Sequence, residues 1–278
     1  MSVLVAKADG TEEPFNPEKL VASLMRAGAE HGLARDIARA VEAPLVSGTT
    51  THEIYRRAFA KLRDARRGVA ARYSLKRALL QFGPSGFPFE AYLAELFRAE
   101  GYAAKTDQIV RGKCVEHEVD VVLQKGGITT YVEAKFHNAA GFKTDLKTVL
   151  YVQARIEDLA RLHSDNPGNI RGMVVTNTKF TSRALEYASC AGLELLSWEE
   201  PRGRTLQERI DAVGLYPITA LTTLGRREKM ALLSQKIVLC TDITKNTRAL
   251  AATGLSGGKA DRVLEEVGSL CVPAKHIE

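Results

Sequence analysis

The sequence predicts a multi-domain α/β protein: an N-terminal hairpin followed by four helices, a central mixed sheet layered with helices, and a small helical domain at the C-terminus. Three observations predict it. Two Gly/Pro-rich breaks, "QFGPSGFPFE" at 81–90 and "SWEEPRGRT" at 197–205, divide the chain of 278 residues. Only the middle segment carries β-branched runs with strand periodicity between helical stretches. The last segment reads as short helices separated by turns. The expected domains are 1–82, 85–200 and 204–278.

The first segment opens with a short strand, a turn at Asp9-Gly10 and a second short strand. Asn16 and Pro17 fit the N-cap and first position of a helix, on which Leu20, Val21, Leu24 and Met25 form the apolar stripe. A second helix is expected over about 35–44. A third follows Thr51 as its cap, with Ile54, Phe59 and Leu62 inward, and "VAARYSLKRALLQF" supplies a fourth.

"VAKADG", "EEPFNPEKL", "HEIYRRA" and "ARYSLKRA" together resemble the ATP cone, a small nucleotide-binding regulatory module. The resemblance covers nearly all of the segment. It implies that Val5, Lys7, Glu13, Lys19 and Thr51 contact ATP or dATP. Lys7 and Lys19 suit phosphate neutralisation, and backbone N–H groups near Asp9-Gly10 suit close approach. The family's second basic residue after the first lysine is Ala8 here. The bland reading is a cone kept only for packing or dimerisation.

In the middle segment "FPFEAYLAELFRAEGY" is an amphipathic helix with Phe89, Tyr92, Leu93 and Leu96 inward, stopped at Gly101. A strand "AAKTDQIV" follows, then two strands about Gly126-Gly127, a two-residue hairpin signal. That turn places Asp120 opposite Glu133 and Glu118 opposite Lys135. Cross-strand partners share a face, so Glu118, Asp120, Glu133 and Lys135 gather on one side and Val119, Val121, Val132 and Ala134 on the other. Opposed Cβ atoms lie ~5 Å apart. Two carboxylates so close repel unless one takes a proton or a cation intervenes. Hard oxygens favour Mg²⁺ or Mn²⁺. The bland reading is a Glu118–Lys135 salt bridge beside solvated acids.

Asp, 12 residues, then Glu-x-Lys on a hairpin resembles the PD-(D/E)xK nuclease superfamily, with Val119 in place of the proline. The order of elements is most similar to Mrr-like restriction endonucleases: a helix over 146–162, a strand over 172–177, a helix over 181–191 and a strand over 193–197 close a mixed sheet. The resemblance implies that Asp120 and Glu133 bind metal and that Lys135 assists the attacking water. Glu90 matches a supporting acid and Gln153 a helix glutamine of related nucleases. His117 and His137 flank the site, each as suited to support a ligand or contact phosphate as to be a ligand itself.

In the third segment "TGLSGGKA" resembles the hairpin of helix-hairpin-helix DNA-binding motifs, with Gly254, Gly257 and Gly258 off the usual spacing. Ser256 and Lys259 would add phosphate contacts. The alternative is a plain helical bundle.

Charge agrees with a polyanion partner. Residues 1–78 hold 14 Lys and Arg against 9 Asp and Glu, 79–203 hold 14 against 16, and 204–278 hold 11 against 8. Basic flanks around a slightly acidic centre fit DNA on either side of a cation site. Four scattered cysteines without a CxxC pair argue against a zinc site or disulfide framework and fit a reducing cytoplasm. No apolar run is long enough for a membrane span and no signal pattern opens the chain. The expected function is a nucleotide-regulated, Mg²⁺- or Mn²⁺-dependent DNA endonuclease, a homo-oligomer whose assembly responds to nucleotide. Two other readings stay open: a nucleotide-responsive DNA-binding regulator with an inactive nuclease fold, and a reductase-associated allosteric subunit.

Overall fold

A computed structural model describes residues 3–7, 10–83, 85–162, 167–245, 250, 253–255 and 257–272. Asp9 of the expected turn, Ala8 before it, and Ser256 of the glycine hairpin lie outside the described residues. The chain forms two compact units. Of the described residues, one unit takes those within 1–78, 216–232 and 240–272, and the other those within 79–215 and 233–239.

In the first unit β1 (Leu4–Ala6) pairs antiparallel with β2 (Glu12–Pro14) and parallel with β3 (Thr49–Thr50). Helix α1 (Pro17–Arg26) starts as expected: Asn16 Oδ1 accepts from the N–H groups of Glu18 and Lys19 at 2.9 and 3.2 Å. Helix α2 (His31–Glu42) begins a turn earlier than expected, because Gly32 sits in its first turn without breaking it. Helix α3 (Thr51–Ala65) is capped by Thr50, not Thr51. Thr49 and Thr50 pair in the sheet, so Thr50 is the residue that leaves extended backbone, and its Oγ1 accepts from Glu53 N–H at 3.1 Å.

The expected fourth helix is two, α4 (Arg67–Tyr73) and α5 (Leu75–Leu79). They part at Ser74, whose hydroxyl donates back to the Ala71 carbonyl at 2.9 Å and competes with the helical ladder. Val5, Leu20, Leu24, Ile37, Val41, Ile54, Ala58 and Leu62 fill the core.

The same unit takes in later chain: α11 (Cys240–Lys245) and α12 (Gly258–Leu270). Helix α12 lies so close to α4 that a Cβ on Gly68 would stand 2.8 Å from Ser269 Oγ. Arg72 Nη2 donates to the carbonyls of Leu270 and Val272, each at 3.1 Å. Glu266 on α12 is 2% exposed, and its carboxylate is met by the N–H and hydroxyl of Thr222 and the N–H of Thr223.

The second unit opens with α6 (Phe87–Ala99), which buries Phe89, Tyr92, Leu93 and Leu96 as expected. A five-stranded mixed sheet follows. Strands β4 (Ala103–Arg111), β5 (Glu116–Lys125) and β6 (Ile128–Lys135) are antiparallel neighbours. Strands β8 (Ile170–Thr176) and β10 (Glu194–Leu196) continue it in parallel with β6. Helix α7 (Leu146–Leu162) makes the crossover from β6 to β8, and α8 (Ser182–Ala191) the one from β8 to β10. A two-stranded parallel pair, β7 (Lys143–Thr144) with β9 (Lys179–Phe180), has no strand-like length in sequence and was not expected.

Gly126 and Gly127 form the hairpin turn with φ of 58° and 79°, and set Lys125 opposite Ile128 and Val121 opposite Val132, the register expected. Helix α7 rests on β8 at Gly172, where a Cβ would meet Ile156 at 2.6 Å. Of the shorter helices, α9 (Leu206–Val213) carries a complete capping box on Thr205 and Glu208, and α10 spans Arg226–Ser234. No described helix is long and apolar enough to cross a membrane.

Candidate active site

The β5–β6 ladder ends at Val121 and Val132, one pair before the acids. Beyond it Asp120 takes the place of a backbone acceptor: its Oδ2 accepts from Ala134 N–H at 2.7 Å. The β4–β5 ladder is interrupted at the same level. Thr106 pairs with Val121 and Gln108 with Val119, while Asp107, between them, has φ of +54°. Gln108 Nε2 splints this bend by donating to the carbonyls of Thr106 and Asp107 at 2.7 and 3.1 Å.

The bend changes the expected faces. Val119 joins the core cluster of Tyr131, Val149 and Val152, and Val122 packs on that cluster too. Residues three apart share a side only where strand alternation is broken. Val119 therefore does not lie with Val121 on one continuous apolar face. Asp120 stands at the break, turned to the end of β6.

The acids then crowd. The pKa of Asp120 is pushed up to about 6, first by burial and then by Glu133, with Glu118 adding; the Ala134 N–H and Arg155 partly oppose this. That of Glu90, in the first turn of α6, is pushed up to about 7 by burial, then by Asp120, Asp107, Glu133 and Glu118. Five carboxylates thus act on one another.

One buried cation answers them. Arg155 on α7 is 7% exposed, and its Nη1 donates to Glu133 Oε2 at 2.9 Å while Nη2 donates to the Tyr151 hydroxyl. Lys135, the last residue of β6, is exposed and makes no ion pair among the described residues, so the Glu118–Lys135 salt bridge is not formed. The chain just past it is fixed by Asn177, fully buried, whose side chain accepts from His137 N–H at 2.9 Å and donates to the His137 carbonyl at 2.7 Å. Burial, then the charge of Lys135, lowers the pKa of His137, which also stacks on Phe142.

Two expected residues stand elsewhere. His117 pairs with Asp158 at 2.9 Å, in a clasp that also binds the N–H groups of Cys114 and Val115. Gln153 donates along α7 to Glu157 Oε1 at 3.1 Å, and the α7 side chain brought to the acids is Arg155. Arg155 was legible as a charge set among the apolar stripe of Val149, Val152, Ile156 and Leu159. Asp107 and Asn177 gave no sequence signal, since one acts through its own backbone angle and the other through a side chain that holds backbone distant in sequence.

Among the described residues no three His, Cys, Asp or Glu side chains converge to enclose a metal ion. The donor chemistry nonetheless fits a hard divalent cation. Asp120 and Glu133 each commit one oxygen to a hydrogen bond and keep the other uncommitted among the described contacts. Their cluster is short of positive charge, and Mg²⁺ commonly binds through one or two carboxylates with water completing the shell.

In the first unit the expected nucleotide residues also come together. Val5 pairs with Glu13 across β1 and β2 and with Thr49 of β3, next to Thr51 at the start of α3. Glu13 meets Lys7 at 2.7 Å and Lys19 at 3.4 Å, which lowers its pKa, Lys7 most.

Three family models match the chain: an ATP cone domain over 3–80, a restriction endonuclease domain over 84–200, and an AF1548-like C-terminal domain over 216–271. An uncharacterized protein of Archaeoglobus fulgidus is 35% identical over 175 residues, 63% of this chain and 97% of the relative. The crystal structure of AF1548, a protein of unknown function, is similar at TM-score 0.55 and 32% identity over 67% of this chain and 98% of that one. The MspJI restriction endonuclease bound to a 27-mer oligonucleotide reaches only TM-score 0.35 at 14% identity, over 70% of this chain and 39% of that one, too distant to bear on the fold.

Proposed function

We propose a DNA-cleaving function from one premise: the chain belongs to the AF1548-like family and joins an ATP cone, a restriction-endonuclease domain and the AF1548-like C-terminal domain in one polypeptide. The reading is a nucleotide-regulated, metal-dependent endodeoxyribonuclease of PD-(D/E)xK type, acting in restriction or DNA processing in the cytoplasm. Its parts are a regulatory cone over 1–82, a nuclease core over 85–200 and a helical DNA-contacting segment over 204–278.

The observation that carries it is the crowding of Asp120, Glu133 and Glu90 at the ladder break, with a carboxylate oxygen of Asp120 and of Glu133 uncommitted. Asp120 and Glu133 would hold Mg²⁺ or Mn²⁺. When bound, the ion supplies polarisation of the scissile phosphate and a more acidic bound water. The Ala134 N–H orients Asp120, and Arg155 holds Glu133 in one rotamer. Lys135, exposed and without an ion pair among the described residues, would assist the attacking water or contact the phosphate. Glu90, near neutrality in pKa, is able to hold or release a proton at its carboxyl. Gln153 would join the site only on leaving Glu157. In the cone, Val5, Lys7, Glu13, Lys19 and Thr51 would bind ATP or dATP, with the lysines exchanging Glu13 for phosphate. Nucleotide binding would act on cleavage through the assembly of a homo-oligomer.

One observation favours a second reading. Arg155 already neutralises Glu133, as it would in a nuclease fold that only binds DNA under nucleotide control. Incubating the full chain with supercoiled plasmid, Mg²⁺ or Mn²⁺, and ATP or dATP separates the two. Metal-dependent nicking that is lost in Asp120→Asn supports the enzyme. Retention of plasmid without cleavage under every condition supports the binding protein.

A further inference from the structure

A cavity of about 570 Å³ lies within the first unit, between the start of α4 and the outer face of α12. Arg66, Arg67 and Arg72 line it from one side and Arg262 from the other, with Glu265 and Glu266. Most of these charges are already spent. Glu266 is buried and saturated by Thr222 and Thr223. Arg72 is tied to the carbonyls of Leu270 and Val272. Arg66 reaches Glu30 at 3.6 Å, both exposed.

Arg67 and Arg262 are different. Neither has an ion pair or hydrogen bond among the described residues, and they come from separate helices. Exposed arginines ordinarily stand apart in solvent. Here two unpaired guanidinium groups and a weakly paired third converge on one concavity, opposed by a single uncommitted carboxylate, Glu265. A cleft lined mainly by one sign of charge focuses its field and attracts the opposite ion. The planar guanidinium fork matches phosphate geometry. The volume is ordinary for a small-ligand site. The close seating of α12 on Gly68 makes the cavity a preformed feature of the packing.

We propose that this cavity is a second anion site, separate from the Lys7–Lys19 region, which takes a phosphate group on Arg67 and Arg262 with Arg66 at the rim. The phosphate belongs to a free nucleotide or to a nucleic-acid backbone; the chemistry is the same. Because its walls come from 65–72 and 262–269, an occupied site would brace the ATP-cone helices against the C-terminal helix. The proposal is independent of whether the chain cuts DNA.

The test uses the full chain carrying Lys7→Ala and Lys19→Ala, with and without Arg67→Ala and Arg262→Ala. The last two residues are exposed, and unchanged melting without ligand verifies the fold. Pyrophosphate, ATP and a short DNA duplex are titrated separately by calorimetry. The site is supported if at least one probe binds the lysine variant and loses about tenfold or more in affinity in the quadruple variant. ATP as the affected probe identifies a nucleotide site. Duplex as the affected probe, with a salt slope reduced by about 2, identifies a backbone contact. Pyrophosphate alone identifies a phosphate site for which neither is the natural source. Equal affinity of all three probes in both variants, or no binding of any, overturns the proposal.

Discussion

Arg155 Nη1 stands 2.9 Å from Glu133 Oε2, with both side chains largely withdrawn from solvent. Removing one member of such a pair strands the other charge. Arg155→Met should cost ~3 kcal/mol of stability, because Glu133 is left facing Asp120 without a counter-charge. Arg155→Met with Glu133→Gln should recover most of that loss. Urea unfolding of the three variants measures both. A single-variant cost below ~1 kcal/mol would show that solvent, not Arg155, compensates Glu133.

Asp120→Asn keeps an oxygen to accept from Ala134 N–H but removes the charge that repels Glu133 and Glu90. Without metal the variant should be as stable as the parent or more so at pH 8. Plasmid cleavage should fall by a factor of about 10³ or more, and the same loss is expected for Lys135→Ala with no change in fold. Parent-like cutting by either purified variant would remove that residue from the proposed site.

Metal-free stability should fall as pH rises from about 4.5 to 7. Glu90 keeps its proton up to about 7 in the folded protein, against 4.5 ordinarily. Over that window the folded state binds more protons than the unfolded chain, so stability decreases with rising pH. The contribution is complete below the lower value and lost above the upper one. Each tenfold gain in proton affinity on folding is worth ~1.4 kcal/mol, and partial exposure screens the total to ~1–2 kcal/mol. Glu90→Gln should flatten this part of the profile. An unchanged slope in that variant would assign the pH dependence elsewhere.

ATP or dATP should bind the cone and displace Glu13 from Lys7 and Lys19. Lys7→Ala with Lys19→Ala should weaken binding by about 10²-fold, two charge-assisted contacts being lost. Nucleotide-free cleavage should be unaffected. Calorimetry tests the affinity, and light scattering with plasmid cleavage tests whether occupancy changes size and rate. Binding without either change would leave the cone a passive module.

Deleting 204–278 is a poor test of the tail. Residues 216–232 and 240–272 share a compact unit with 1–78, and Val263, Val267 and Leu270 are buried. Truncation would expose core as well as remove charge. Lys259 of the glycine hairpin is also committed, to Glu228 at 2.5 Å. A point change at Arg262, which is exposed, is the cleaner probe of the tail.

By itself the sequence determined the local elements and the approximate site. Asn16-Pro17 started α1, Gly126-Gly127 set the hairpin register, and that register brought Asp120 to the level of Glu133. Each is a short-range rule acting within a few residues, where one side chain or one φ value decides the outcome. What the tertiary structure decided lies at longer range. The αL bend at Asp107 breaks the alternation that would have put Val119 with Val121. The approach of α7 selects Arg155 over Gln153, because helix rotation against a sheet is fixed by packing of Val149, Val152 and Ile156 rather than by their spacing. The return of α12 to α4 sets Arg262 across one cavity from Arg67, a juxtaposition of residues nearly two hundred apart that no local pattern encodes.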